Sequence, residues 1–164
     1  MYFALVSAKL IVFQYESKTD LPTLEGAVND AKEFCKFLVD KFQVLESNIL
    51  LLCNGQATRA RILDAFKTHL LNNPRIPNGG DAATIFFFAG HGTRVSAPGN
   101  LMSEYEQVEG ICAVDERTGS GKEYVHMIPD SVLVRLLLQL SEKKGQNIVH
   151  FMFLYNLLDA DIYP

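Results

Sequence analysis

Gly90-His91-Gly92 comes one residue after a mainly apolar run, Ala82 to Phe88, and is the most chemically pointed feature of the chain. An imidazole takes up and releases protons near neutral pH, so a histidine held at the end of a buried strand can work as general base or acid. A glycine on each side lets the backbone turn sharply and leaves room for a substrate chain beside the ring. A loop histidine with ordinary hydrogen bonds would have the same local sequence. A base of this kind needs a nucleophile, and the chain offers three thiols: Cys35, Cys53 and Cys112. Cys35 falls on the apolar stripe of a helix, Cys53 at the end of a buried strand and Cys112 within another strand. Buried free cysteines are usually inert packing residues.

Other chemistries have less behind them. The histidines His69, His91, His126 and His150 show neither His-x3-His nor Cys/His zinc spacing, so no metal is expected. There is no GxGxxG or GxxxxGK[ST] loop to cradle phosphates, and Gly119-Ser120-Gly121-Lys122 reads as a loop tip. No cofactor is expected.

The elements that must position His91 follow from periodicity. Met1 to Phe13 reads as a first strand rather than a signal peptide, because Lys9 interrupts it and no small-residue cleavage site follows. Leu24, Val28, Ala31, Cys35, Leu38 and Phe42 form one helical stripe. Asn48 to Leu52 is a short buried strand. Thr58 can cap a helix whose apolar face is Ile62, Leu63, Phe66 and Leu70. The loop Asn72 to Gly80 leads into Ala82 to Phe88, which suits a strand covered on both faces. A polar stretch from Gly90 to Lys122 contains a short strand at Gly110 to Val114. Pro129 opens a helix with Val132, Leu133, Leu136, Leu137 and Leu140 facing the core and Gly145 after its end. Asn147 to Tyr155 is a last strand.

This alternation predicts an α/β fold: an open, mostly parallel sheet flanked by helices. Ligands on such sheets gather at the carboxyl ends of strands, here after Phe88 and after Phe153. The 164 residues, 48% hydrophobic and 21% charged, suit one soluble domain covering 1–164. A net charge of -4 argues against a nucleic-acid partner, and the lack of a run of 18 apolar residues argues against a membrane span. Three cysteines, an odd count without CxxC spacing, fit free thiols in a reducing, cytoplasmic setting.

Four segments in order carry a family resemblance. LEGAVNDAKEF resembles the first-helix "GxxND" motif of the caspase and metacaspase clan, and FFFAGHGTRV resembles its "GHG" histidine motif. EGICAVDERT and SNILLLCNGQATRARILDAF resemble the corresponding segments of fungal metacaspase-like proteins. The resemblance implies a caspase-like fold and a Cys-His endopeptidase mechanism acting on peptide or protein substrates. In it, the histidine assists a thiolate that attacks the scissile carbonyl. By the same resemblance His91 is the catalytic histidine, and the N–H of Gly92 contributes to oxyanion stabilisation. Asp30 shapes the pocket for the residue before the scissile bond, where a buried carboxylate would select Arg or Lys.

The chain departs from the family at the nucleophile. The family cysteine lies at the end of the strand after the third helix, in a "DSCHSG"-like motif. Here that strand reads Asn147-Ile-Val-His-Phe-Met-Phe-Leu-Tyr155, with Phe153 at the Asp position and Tyr155 at the Cys position. The expectation is therefore a domain cut short before its catalytic cysteine, with the carboxyl-terminal strands missing and no activity of its own. The alternative is a non-catalytic caspase-like module that binds and regulates an active relative. Asp130 stands alone where some metacaspases gather carboxylates for calcium, and one carboxylate does not build that site.

Overall fold

The apolar run that reaches the histidine motif does not stop there. In the computed structural model, which describes residues 7–12, 24, 26–80, 82–96 and 107–160, one strand runs from Thr84 to Ser96 (β3) and carries His91 inside it. Every residue from Phe86 to Thr93 is buried. The expected sharp turn is absent: among the described residues, neither Gly90 nor Gly92 has a positive φ. The physical reason is pairing, since both edges of this segment find partners and the backbone gains by staying extended.

The chain order is β1 (Ser7–Val12), α1 (Ala27–Phe42), β2 (Ile49–Cys53), α2 (Arg59–Ala65), β3, β4 (Gln107–Ile111), β5 (Ile128–Pro129), α3 (Asp130–Lys144) and β6 (Ile148–Ala160). The first six residues and Phe13 of the expected first strand lie outside the described residues. β1 pairs in parallel with β2 and with β3 over Thr84 to Ala89. β4 pairs antiparallel with β3 over Gly92 to Ser96, and β5 with β4. β6 runs parallel to β3 from Thr84 to Val95. A strand has two edges, so β1 and β4 share one edge of β3 in succession while β6 holds the other. The fold is α/β with a mixed sheet flanked by helices, consistent with a caspase-like architecture.

The sheet separates two apolar layers. On one side α1 packs Ala27, Val28, Ala31 and Leu38 against Phe87 and Ala89. On the other, α2, the wider helical turn Phe66–Leu71 that continues it, and α3 pack Ile62, Phe66, Leu70, Leu133, Leu136 and Leu140 against Phe86 and Phe88. This is the period-2 alternation of a strand buried on both faces. Phe42, expected on the core stripe of α1, is 44% exposed. The helix ends there, Gln43 turns left-handed, and the ring lies edge-on to Phe37 instead. Cys35 is only half-buried.

Local chemistry explains the helix ends. The Thr58 hydroxyl accepts from the Arg61 N–H, and Asp115 Oδ1 accepts from the Arg59 N–H at 2.8 Å, so two orphan donors of α2 are satisfied. α3 stops at Gly145, whose φ of 105° suits glycine, and a Cβ there would meet the Gly80 carbonyl oxygen at 2.7 Å. The buried Lys144 ammonium donates to Asn73 O, Ile76 O and Asn78 Oδ1 at 3.0, 2.8 and 2.7 Å. This tie holds the long loop before β3 against α3. Among the described residues no helix is long and apolar enough to cross a membrane.

Two outcomes follow. Lys144→Ala should lose about 2 kcal/mol of unfolding free energy, the scale of hydrogen bonds to a charged donor, and urea titration measures it. β6 pairs only with β3 among the described strands, and its Phe153 and Leu154 are 52% and 45% exposed. A charge on such an apolar edge blocks strand addition. Leu154→Lys should therefore reduce concentration-dependent light scattering, and unchanged scattering would show that this edge is inert.

Candidate active site

The peptide direction at His91 follows from one hydrogen bond. The Cys112 N–H donates to the His91 carbonyl at 2.9 Å, which aims that carbonyl at the β4 side. The peptide is trans, so the Gly92 N–H points the opposite way, toward β6. β6 is irregular at that level. Gly90 is level with Leu154 and Gly92 with Leu157, so the single residue His91 stands opposite two residues, Tyr155 and Asn156. An extra residue in one strand is a β-bulge, a device that re-aims chain and side chains beside functional sites. The two strand ends singled out in the sequence, after Phe88 and after Phe153, are thus neighbours: Phe88 pairs with Met152 and Ala89 with Phe153.

His91 itself is fully buried. Strand alternation puts it on the same face as Phe87 and Ala89, the α1 side. α1 starts at the carboxyl end of the sheet, because it runs back from there to β2, whose first residue Ile49 is level with Ala8 and Ile85. Asp30, in the first turn of α1, therefore shares both the sheet face and the sheet end with His91. It is exposed, however, and not the buried carboxylate expected from the sequence. Packing explains this: the helix turns Ala27, Val28 and Ala31 inward, which leaves position 30 outward.

A model of the metacaspase, peptidase C14 domain matches residues 7–149, from the start of β1 into β6. The chain belongs to the metacaspase family. No individual curated protein matches it.

Among metacaspase chemistries, a thiolate attack needs a thiol within reach of the imidazole, and none of the three cysteines offers one. β1 lies between β2 and β3, so Cys53 is two strand spacings, about 9.5 Å, to the side of β3. Cys35 lies two turns down α1 from the sheet's carboxyl end, about 12 Å from Ala27 along the axis. Cys112 is bonded to His91 through its backbone, yet its side chain packs with Phe86, Phe88 and Ile128 in the opposite layer. Burial raises the pKa of all three thiols, with Cys53 adding to the shift at Cys35 and Glu116 to that at Cys112. A protonated thiol is a poor nucleophile. Among the described residues no cluster of three His, Cys, Asp or Glu side chains could hold a metal.

One group beside Cys112 escaped the sequence reading. Glu116 is fully buried, and apart from the weak thiol donor of Cys112 its carboxylate oxygens have no hydrogen-bond partner among the described residues. Arg117, held at a left-handed φ of 61°, brings its Nε only to 3.8 Å. In sequence, Asp115-Glu116-Arg117 looks like a solvated turn; only the tertiary fold turns the middle residue inward. Burial pushes the Glu116 carboxyl above its ordinary value near 4.5, outweighing the pull of Cys112 and Arg117.

The folded chain therefore keeps a proton that the unfolded chain releases once pH passes about 4.5, and stability falls as pH rises through that window. Glu116→Gln should remove the slope, leaving a higher urea midpoint than the parent at neutral pH and little difference on the acid side. Parallel midpoints for the two proteins across the whole range would contradict this.

Proposed function

We propose that the chain is a caspase-like peptidase domain with the histidine half of its machinery in place and with Tyr155 and Asn156 standing where the nucleophile belongs. As this chain it does not cleave peptides. The observation that supports this reading is the β6 bulge opposite His91, which contains no cysteine. A Cys-His mechanism needs sulfur within hydrogen-bond reach of the ring.

The roles are these. His91 is the base, and the Gly92 N–H, aimed toward β6, is the donor that would meet a developing oxyanion. Asp30, at the same end and face of the sheet, is the carboxylate that would attract Arg or Lys in a peptide or protein substrate. Its exposure makes that preference a matter of long-range attraction more than of a sealed pocket.

A second reading is a non-catalytic module that binds an active metacaspase and changes its rate. The exposed apolar residues Phe153 and Leu154 on β6, which pairs only with β3 among the described strands, favour it. In both readings the chain works without metal or cofactor and in the cytoplasm.

The test is turnover of fluorogenic peptides with Arg or Lys before the scissile bond. We expect none above background, and no change on His91→Ala. Turnover that His91→Ala abolishes would mean that one of the three thiols is a nucleophile after all. Added to an active metacaspase, the chain should alter that enzyme's cleavage rate if the second reading holds, and leave it unchanged otherwise.

A further inference from the structure

The layer formed by α2 and α3 lies across the sheet from His91. Between α3 and the helical segment 59–71 runs a groove of about 510 Å³. Its floor is apolar, formed by Leu63, Val132 and Leu136. Each wall carries one exposed cation, Lys67 on the α2 side and Arg135 on α3. Neither side chain makes an ion pair or a hydrogen bond among the described residues. The chain as a whole has a net charge of -4, so two cations facing each other without a counter-charge run against its overall balance.

The wall that holds Lys67 is also irregular. After Ala65 the helix widens into a π turn over Phe66–Leu71, in which the Asn72 N–H donates to the Lys67 carbonyl at 2.7 Å, five residues back. Such turns are rare and recur at functional sites. This one is pinned from within by buried Phe66 and Leu70, and by Asn73 Nδ2 donating to His69 O at 2.8 Å.

We propose that this groove docks an acidic amphipathic segment of a protein partner, with apolar side chains on Leu63, Val132 and Leu136 and carboxylates between Lys67 and Arg135. A helix laid in a groove, anchored at every third or fourth residue, is a common recognition mode. The groove is open along one side, so a small molecule would stay largely in water, whereas small-molecule sites enclose most of their ligand. A second copy of this chain is disfavoured, because a two-fold contact would bring the same two cations face to face.

Fluorescence anisotropy of a labelled helical probe peptide, with Leu on one face and Glu flanking it, tests the proposal on the full chain. The Glu peptide should bind, should weaken as salt rises, and should lose about tenfold or more in affinity against the Lys67→Glu/Arg135→Glu double variant. The same peptide with Gln for Glu should bind the parent equally weakly. Both positions are exposed, so the variant should keep the parent's urea midpoint; if it does not, Lys67→Gln/Arg135→Gln replaces it. Equal affinity for the Glu and Gln peptides, indifference to charge reversal, no binding at all, or decanoate binding in place of the peptide would each overturn the proposal. His91→Ala should leave peptide binding unchanged, so the groove and the peptidase reading stand or fall separately.

Discussion

A buried strand must spend its backbone groups on neighbours, and β3 is the strand to which every other part of this fold is indebted. Its thirteen residues pair with β6 along almost their whole length and with β1 and then β4 along the other edge. Unpaired amides buried away from water are costly, so this arrangement leaves no freedom for a loop at the histidine. His91 sits in the ladder, its carbonyl committed to Cys112 and the next amide committed in direction toward β6. The ring itself stands off the ladder, on the α1 face shared with Phe87 and Ala89.

The bulge in β6 is where that constraint becomes chemistry. There the single residue His91 is opposed by two, Tyr155 and Asn156. The Gly92 N–H points toward this level of β6, while the His91 ring lies on the α1 face.

The two faces of the sheet are specialised. The α1 face carries Asp30 and His91 at one end and a stacked aromatic layer, Phe34 on Phe87 with centroids 4.8 Å apart. The α2–α3 face holds the larger core, the buried Glu116 beside Cys112, and a groove with cations on both walls. Cys112 links the faces: its backbone holds His91 while its thiol belongs to the other side. A buried carboxyl with only a thiol for a hydrogen-bond neighbour costs stability, and the strained turn at Arg117 that accompanies it is a second local cost.

Much of this was legible in the residues alone. The stripe Val28, Ala31 and Leu38 (Leu24, read as its start, is buried ahead of the helix), the cap at Thr58, the stop at Gly145 and the strands either side of α1 follow from period, cap chemistry and backbone preference, all local properties. So does membership of the family, because the ordered strings around Asp30, His91 and Cys112 are linear features. Pairing is not local. That β3 runs straight through Gly90-His91-Gly92, that Phe42 and Asp30 face water, and that Glu116 turns inward depend on which strands lie alongside and which layer covers them. A residue's type states what it can do with a neighbour; only the folded sheet chose the neighbours, because hydrogen-bond partners and burial are supplied by segments far apart in the chain.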